Sequence, residues 1–212
     1  MGDEASPVTV IHRFTGRPDQ PAELSRALGE HAAFLRDRPG FDFSVQVRLA
    51  DRPDVHVQLG YWHSHRAYRE AVRDPRFVAH VRQVRSLVVH ADADQGVSVA
   101  RVVNDRYCVD GPARDATGVL AEYLVDGDHA EFQHRTRAWA ESLPERPGFG
   151  GLDLMRSILR PHRYLGVVWW FDGAGRPTVP PGTPEGTATV HAALVRVERT
   201  GPVSYLEGTP SD

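Results

Sequence analysis

The sequence Arg-Pro-Gly-Phe occupies residues 38–41 and returns unchanged at residues 146–149. The same offset of 108 residues (146 − 38) relates Trp62 to Trp170, and no gap is needed in the window from residue 22 to residue 62. A repeat of this length is too long for a solenoid unit and is typical of a small domain. The sequence therefore predicts a tandem repeat of one small domain.

Composition places the chain among globular proteins. Its 212 residues are 41% hydrophobic and 25% charged, with a net charge of −3 and no basic or acidic run. We therefore expect no nucleic-acid partner and no membrane association. The N-terminal residues lack the pattern of a signal peptide, and the single cysteine, Cys108, has no partner for an intramolecular disulfide. A cytoplasmic location is the expectation.

The chain contains no lysine, so all 25 of its Lys and Arg positions are arginine. This excludes a lysine Schiff base, a pyridoxal-phosphate enzyme and a Walker-A phosphate loop. Any catalysis must rest on other side chains.

The first unit, predicted over residues 7–104, has the pattern of a ferredoxin-like α+β domain. The spacing of its apolar residues predicts a strand at Val8–Phe14, a helix at Ala22–Arg36, a hairpin of Phe43–Leu49 and Val55–Trp62, helix interrupted at Asp74-Pro75, and a strand at Gly96–Val103. The order βαββαβ is that of a ferredoxin-like sandwich.

A second unit, predicted over residues 116–207, repeats this order in degenerate form. Residues 173–182, where its second helix belongs, hold too much glycine and proline for a helix, and a last strand is predicted at Leu194–Arg199. Two such units packed sheet to sheet would form a dimeric α/β barrel within one chain. We expect the first to carry the active site and the second to be structural.

The first hairpin has two contrasting faces. Side chains alternate between the faces of a strand, and one face of this hairpin is entirely apolar. The residues of the opposite face are mostly polar: Ser44, Gln46, Arg48, His56, Gln58, Gly60 and Trp62. Solvent exposure would explain this pattern, but βαββαβ connectivity places helices over one face of the sheet. If helices cover the polar face, its side chains line a pocket, because buried polar groups need partners.

The second unit replaces this polar face with mostly apolar residues. The correspondences are Ser44 with Leu152, Gln46 with Leu154, Gln58 with Gly166, and His31 of the covering helix with Trp139. The difference predicts one active site per chain.

Residues 8–103 resemble the antibiotic biosynthesis monooxygenase family, a dimeric α/β-barrel group that oxidises aromatic polyketides. The resemblance rests on residues 60–68, which read Gly-Tyr-Trp-His-Ser-His-Arg-Ala-Tyr, and on the helix through residues 74–77. In the anthrone oxygenases of the family the pocket uses a strand-end Trp, an amide four residues before it, a Tyr six after it and an Arg twenty after it. Those positions here are Trp62, Gln58, Tyr68 and Arg82.

The resemblance implies that Tyr68, Arg82 and Trp62 form the catalytic group. Arg82 would hold a phenolate or peroxide anion, and Tyr68 would move a proton. Neutral donors such as the Trp62 indole N–H would fix a carbonyl or hydroxyl of the substrate. The substrate contacts expected are Gln58, Arg48, Gln46, His31, Phe77 and Val78.

The resemblance also implies an oxygenase with O2 as co-substrate and no bound metal or flavin, because an electron-rich phenol or anthrone supplies the electrons. The reaction would be oxidation to a quinone or, as in angucycline tailoring, oxidative ring cleavage. Ring-cleaving relatives consume reduced flavin (FADH2 or FMNH2) or a hydroquinone, so a flavin reductase partner stays open. A homodimer of the chain stays open as well.

Other interpretations remain. Trp62 can be a core residue, as the retained Trp170 indicates, Arg82 and Tyr68 can be ordinary helix residues, and His31 can be a core histidine. The same pocket would also suit a polyketide cyclase that uses no oxygen, or a non-enzymatic ligand-binding barrel.

A metal or haem site finds little support in the sequence. His63 and His65, interpreted as sharing a strand face, have no third ligand at metal spacing. A haem-degrading relative would need an axial histidine where Val72 stands.

Overall fold

In the computed structural model, which describes residues 6–104, 114–171 and 186–199, the two Arg-Pro-Gly-Phe segments form the same turn between a helix and a strand. The glycines, Gly40 and Gly148, have φ angles of 79° and 73°, a conformation that residues with a Cβ rarely adopt. In each turn the Phe N–H donates to the Arg carbonyl three residues earlier, at 3.1 and 3.2 Å. Both halves of the chain therefore enter their hairpins in the same way.

The first half contains four strands and three helices in the residues that the structure describes. These are β1 (Val8–Gly16), α1 (Pro21–Arg36), β2 (Phe41–Leu49), β3 (Val55–Trp62), α2 (His65–Ala71), α3 (Pro75–Ser86) and β4 (Val88–Val103). The Ser64 and Asp74 side chains cap α2 and α3 by accepting from backbone N–H groups, and Pro75 begins α3. The predicted break between two helices at residues 74–75 is confirmed.

The second half repeats the strands. Its elements are β5 (Arg114–Val125), α4 (His129–Glu141), β6 (Phe149–Ser157), β7 (Arg163–Trp170) and β8 (Gly186–Arg199). The prediction that residues 173–182 form no helix lies outside the described residues.

The strands close into a barrel, and the described part of the chain contributes eight of them. Their order is β1-β3-β2-β8-β5-β7-β6-β4, with neighbours antiparallel and β4 pairing back onto β1. The first half supplies the run β4-β1-β3-β2 and the second the run β8-β5-β7-β6. Each half therefore orders its strands identically, and the halves meet at β2–β8 and β4–β6.

The barrel interior is the apolar face of both hairpins. Val45, Val57 and Leu59 of the first half pack there with Val167 and Trp169 of the second. The four helices of the described residues lie outside the barrel, so any pocket beneath them is on the opposite face of the sheet from this shared core.

Two strands begin eight residues earlier in the structure than the sequence predicts. β4 starts at Val88 rather than Gly96, and β8 starts at Gly186 rather than Leu194. Residues 90–95 of β4 read His-Ala-Asp-Ala-Asp-Gln, which lacks apolar alternation. They are nevertheless strand, because their backbone pairs with β1, and pairing does not require apolar side chains. No helix in the described residues combines the length and hydropathy needed to cross a bilayer.

Candidate functional site

Helices cover the polar face of the first hairpin, as a pocket requires. α1 packs on β2 and on α3, and α3 packs on β4. Strand pairing sets His12 of β1 opposite Gln58 of β3, and Gln58 opposite Gln46 of β2. A row of three polar residues therefore crosses three strands, and Gln58 and the nearby Ser44 are buried.

Several buried polar atoms at this position have no hydrogen-bond partner among the described residues. They are His31 Nδ1, Ser44 Oγ, Gln46 Nε2, His56 Nε2 and both amide atoms of Gln58. Leaving one such group unpaired costs about 1–3 kcal/mol. A cluster of them is therefore a poor structural core, and a ligand with hydroxyl and carbonyl groups would satisfy it.

His31, at the centre of α1, lies in an aromatic contact between α1 and α3. Its ring is 5.3 Å from the Phe77 ring, edge to face, and 5.9 Å from the His80 ring. Burial, together with the neighbouring His12 and His80, lowers the pKa of His31 to about 3, and burial lowers the pKa of His12 to about 4. Both imidazoles are therefore neutral at pH 7, each with one donor and one acceptor nitrogen.

Trp62 and Tyr68 close one end of the covered face. Trp62 is buried, with its ring 5.0 Å from the Phe41 ring and 5.7 Å from the Tyr68 ring. Burial raises the pKa of Tyr68, so its phenol is a neutral proton donor at pH 7. The second half keeps the aromatic pair, with the Trp170 and Phe149 rings 6.1 Å apart. Trp62 is therefore part of the core. Through its contact with Tyr68, it also borders the polar face.

A cavity of about 470 Å³ opens where β1 and β4 pass α3. This volume is within the range of small-molecule sites. Its lining includes Phe14, His12, His31, Val84, Arg85 and Asp92. The sequence pattern predicted His31 as a site residue but not His12 or Arg85. A signal existed for His12, because it alternates in phase with Val8, Val10 and Phe14 as the polar residue of that face.

Of the nine predicted site residues, only His31 lines this cavity within the part of the chain that the structure describes. Arg82 and Val78 are on the exposed side of α3, with Val78 40% exposed, and neither lines the cavity within the described residues. At 3.6 residues per turn they lie on a different side of the helix from Val84, which is buried against α1. Of the predicted α3 contacts, Phe77 is the one that the structure brings to His31.

Gln46 and Arg48 face a separate groove. They line a space of about 500 Å³ with His56 and with residues of β8. Arg48 is exposed there. Three predicted substrate contacts therefore line openings beside α1: His31 lines the cavity, and Gln46 and Arg48 line the groove. Gln58 is buried on the same sheet face and lines neither opening.

The interpretation of His63 and His65 as sharing a strand face is wrong. β3 ends at Trp62 and α2 begins at His65, because Ser64 caps that helix. No group of three His, Cys, Asp or Glu side chains in the described ranges is arranged to hold a metal ion.

The equivalent space in the second half is packed. Leu152, Leu154 and Val168 of its sheet contact Phe132 and Leu143. The Tyr164 hydroxyl is hydrogen-bonded to Gln133 Nε2 at 2.8 Å and lies 3.0 Å from His129 Nδ1. One buried hydroxyl, that of Tyr123, lacks a partner among the described residues. This half therefore has a conventional core where the first half has polar groups.

A buried ion pair inside the barrel has a structural role. Arg101 Nη2 donates to Asp153 Oδ2 at 2.9 Å, and Ser98 Oγ donates to Asp153 Oδ1 at 2.6 Å. The guanidinium also lies 4.5 Å from the Tyr61 ring centre. These charges are paired across β4 and β6, in contrast to the unpaired groups under α1.

A closed antiparallel barrel with helices on its outer side is the architecture of an α/β-barrel protein. The chain belongs to the antibiotic biosynthesis monooxygenase family, a family of enzymes. It is 32% identical over 100 residues to the deoxynogalonate monooxygenase of Streptomyces nogalater, a match that spans 47% of this chain and 81% of that protein. No family model matches the chain.

Two solved structures share the fold over nearly the whole chain. A candidate monooxygenase of Lactobacillus acidophilus NCFM superposes with a TM-score of 0.71 at 12% identity, covering 92% of this chain and 97% of that one. An anthrone oxidase-like protein superposes with a TM-score of 0.62 at 14% identity, covering 94% and 95%. The predicted resemblance and the α+β barrel are confirmed.

Proposed function

We propose that this chain uses O2 to oxidise an aromatic polyketide in antibiotic biosynthesis, with its active site under α1 and α3 of the first half. The observation that carries the proposal is the cluster of unpartnered polar atoms of Ser44, Gln58 and His31. The second half holds Leu152, Gly166 and Trp139 at the corresponding positions. The family relationship and the name of the Streptomyces nogalater relative support the substrate class.

The reaction that needs the fewest components is oxidation of an anthrone to an anthraquinone. A C–H proton leaves the substrate, the resulting enolate transfers an electron to O2, and a C–O bond forms to give a hydroperoxide. Loss of the second C–H proton and cleavage of the O–O bond then give the carbonyl. One oxygen atom stays in the product and the other leaves as water, so no external reductant is needed.

The protein's part is to hold the substrate and manage protons away from bulk water. The Gln58 amide, buried and unpartnered, would donate to a substrate carbonyl and so stabilise the enolate. Tyr68 would protonate the peroxide or accept the proton that leaves, and Trp62 would pack against the ring system beside it. Phe77 and His31 would form the apolar and polar parts of the wall between the two helices.

This chemistry proceeds without a resident cofactor. A reduced flavin delivered by a reductase would be needed only for oxidative ring cleavage, which is the second reaction that the family resemblance implies. We favour oxidation of an anthrone to an anthraquinone over ring cleavage, because the Gln58 amide and the Tyr68 hydroxyl can take part in it directly.

We also propose that the two halves are tandem ferredoxin-like units, the first spanning residues 7–104 and the second residues 116–207. The identical order of strands in each half, β4-β1-β3-β2 and β8-β5-β7-β6, supports this division. A cytoplasmic location is a further prediction, and a homodimer of the chain stays open.

Oxygen consumption tests the proposed function. Purified protein is mixed with a tricyclic anthrone, with and without reduced flavin, and the product is analysed after reaction under 18O2. We expect one O2 consumed per anthrone, one 18O atom in the quinone, and no requirement for flavin. A requirement for flavin would favour ring cleavage. Conversion of a polyketide precursor under anaerobic conditions would instead indicate a cyclase, and the absence of any turnover would indicate a ligand-binding protein.

A further inference from the structure

We propose that the substrate carries an anionic group, such as a carboxylate, which Arg85 binds at the mouth of the cavity while His12 and His31 contact its ring hydroxyl or carbonyl groups. This inference rests on the proposed function, because it places the same substrate in the same half of the chain.

Arg85 is the cation of this cavity. It lines the cavity from α3. The ion pairs of the described residues do not include it. Asp92, which lines the same cavity, lies 3.2 Å from Arg160, so its charge is already paired. A guanidinium without a partner at a cavity mouth suits a carboxylate, which it can bind with two parallel hydrogen bonds.

The inner part of the cavity suits the neutral end of an aromatic ligand. His31 reaches it from α1 and His12 from β1, with Phe14 and Val84 as apolar walls. The other titratable groups that face these imidazoles are His80, which contacts His31, and His90 on the cavity lining. His31 Nδ1 is buried and has no partner among the described residues, and it can therefore bond a substrate oxygen.

The family resemblance placed the functional cation at Arg82, one helical turn earlier. Both arginines are exposed residues of α3, but only Arg85 lines the cavity among the residues described. The pair therefore offers a direct comparison within one helix, because replacing either removes the same charge from the same element.

Equilibrium binding of two matched probes tests the inference. Anthraquinone-2-carboxylate and anthraquinone-2-carboxamide have nearly the same shape, but the carboxamide is neutral and has an NH2 donor in place of one acceptor oxygen. Their affinities for the wild type, Arg85→Gln and Arg82→Gln are measured by calorimetry at pH 7.5. We expect the wild type to bind the carboxylate about tenfold more tightly, as is typical of a charged hydrogen-bonded pair. Arg85→Gln should bind both probes equally, and Arg82→Gln should keep the preference.

The inference would be overturned by equal binding of both probes to the wild type or by binding of neither. It would also be overturned by a preference that Arg85→Gln retains or that Arg82→Gln loses. Oxygen uptake with a neutral anthrone, measured on the same preparations, separates this inference from the proposed function. Oxygen uptake without a preference for the carboxylate would contradict the role of Arg85 but not the proposed function. A carboxylate preference lost in Arg85→Gln, in a protein that consumes no oxygen, supports the binding role and contradicts the oxygenase.

Discussion

The two halves of this barrel have the same backbone arrangement but differ in the side chains that lie between the sheet and its helices. Both have the glycine turn, the Phe–Trp contact and the same strand order. Under α4 the second half packs leucine, valine and aromatic side chains. Under α1 the first half holds amides, histidines and a serine without partners in the described residues. This contrast supports our proposal that the first half binds the substrate and the second half is structural.

The difference between the two repeated halves also supports the proposed position of the site. Polar residues on a strand face are ordinary when taken alone, because many sheets have one face in water. Here the same position in the other half is occupied by buried apolar residues, which shows that this face of the fold is covered. Polar groups retained at a covered position cost stability, so binding is the reason we assign to them.

The largest expected effect concerns Tyr68. Tyr68→Phe removes the hydroxyl that we assign to proton transfer, and turnover should fall about 100- to 10,000-fold, the usual range for a general acid or base. Oxygen-electrode kinetics measure the loss. The matched control is Tyr164→Phe in the second half, which loses its hydrogen bond with Gln133 and should cost about 1 kcal/mol of stability with no change in turnover. Equal losses of activity would contradict the assignment of one site per chain.

A polar group placed in the packed half should be costly. Leu154→Gln removes a fully buried leucine from the second half and introduces an amide without a partner. We expect the free energy of unfolding to fall by about 3–5 kcal/mol, the combined cost of lost burial and an unpaired polar group. Urea denaturation measures this change. The mirror substitution Gln46→Leu should change stability by less than about 1 kcal/mol, and a large loss there would contradict the contrast between the halves.

Removing the buried amide of the first half should separate stability from activity. Gln58→Leu is of similar volume and deletes two unpartnered polar atoms. We expect the protein to gain about 1 kcal/mol of stability and to lose about 10- to 100-fold in turnover, because the substrate carbonyl loses its donor. A variant that is less stable but fully active would show that Gln58 is structural.

The pH dependence of stability should come mainly from the first half, although burial also lowers the pKa of His129 in the second half. The pKa of His31 falls to about 3 in the fold, below the ordinary value of 6.5. A depressed histidine pKa contributes stability that is complete above pH 6.5 and is lost as the pH falls toward the folded value. His31 should account for about 2 kcal/mol of loss between pH 6.5 and pH 5. His12 and His56, whose pKa values fall to about 4, act in the same direction.

Urea unfolding at pH 7.5 and pH 5.0 checks this prediction, and His31→Leu should show a smaller difference between the two. No histidine of the second half is buried, as far as its residues are described. A dependence unchanged by His31→Leu would place its origin elsewhere.

Much of the fold followed from the sequence because periodicity and the repeat constrain it strongly. The hairpin of residues 43–62, the helix over residues 22–36 and the cap at Asp74 all lie where the pattern predicts them. The start of β4 was missed because its alternating small and acidic residues have no apolar signature. Strand pairing, which decides that segment, is not encoded locally.

The site was predicted less completely, for a geometric reason. Polar residues of the hairpin were identified from alternation, but which of them face a common cavity depends on how α1 and α3 cross the sheet. A spacing of twenty residues from Trp62 pointed to Arg82, whereas the orientation of α3 brings Arg85 to the cavity lining. His12 lies on β1, so alternation along the β2–β3 hairpin does not predict that it shares the polar face.

The most direct test of one site per chain is the stoichiometry of ligand binding. Titration of the full chain with 1,8-dihydroxyanthraquinone, a product-like tricycle, should give one bound molecule per chain. Binding should weaken about tenfold in Gln58→Leu, which removes one hydrogen-bond donor, and should be unchanged in Leu154→Gln under conditions where both variants are folded. Two molecules per chain, or one that is insensitive to Gln58→Leu and abolished by Leu154→Gln, would contradict the assignment of the site to the first half.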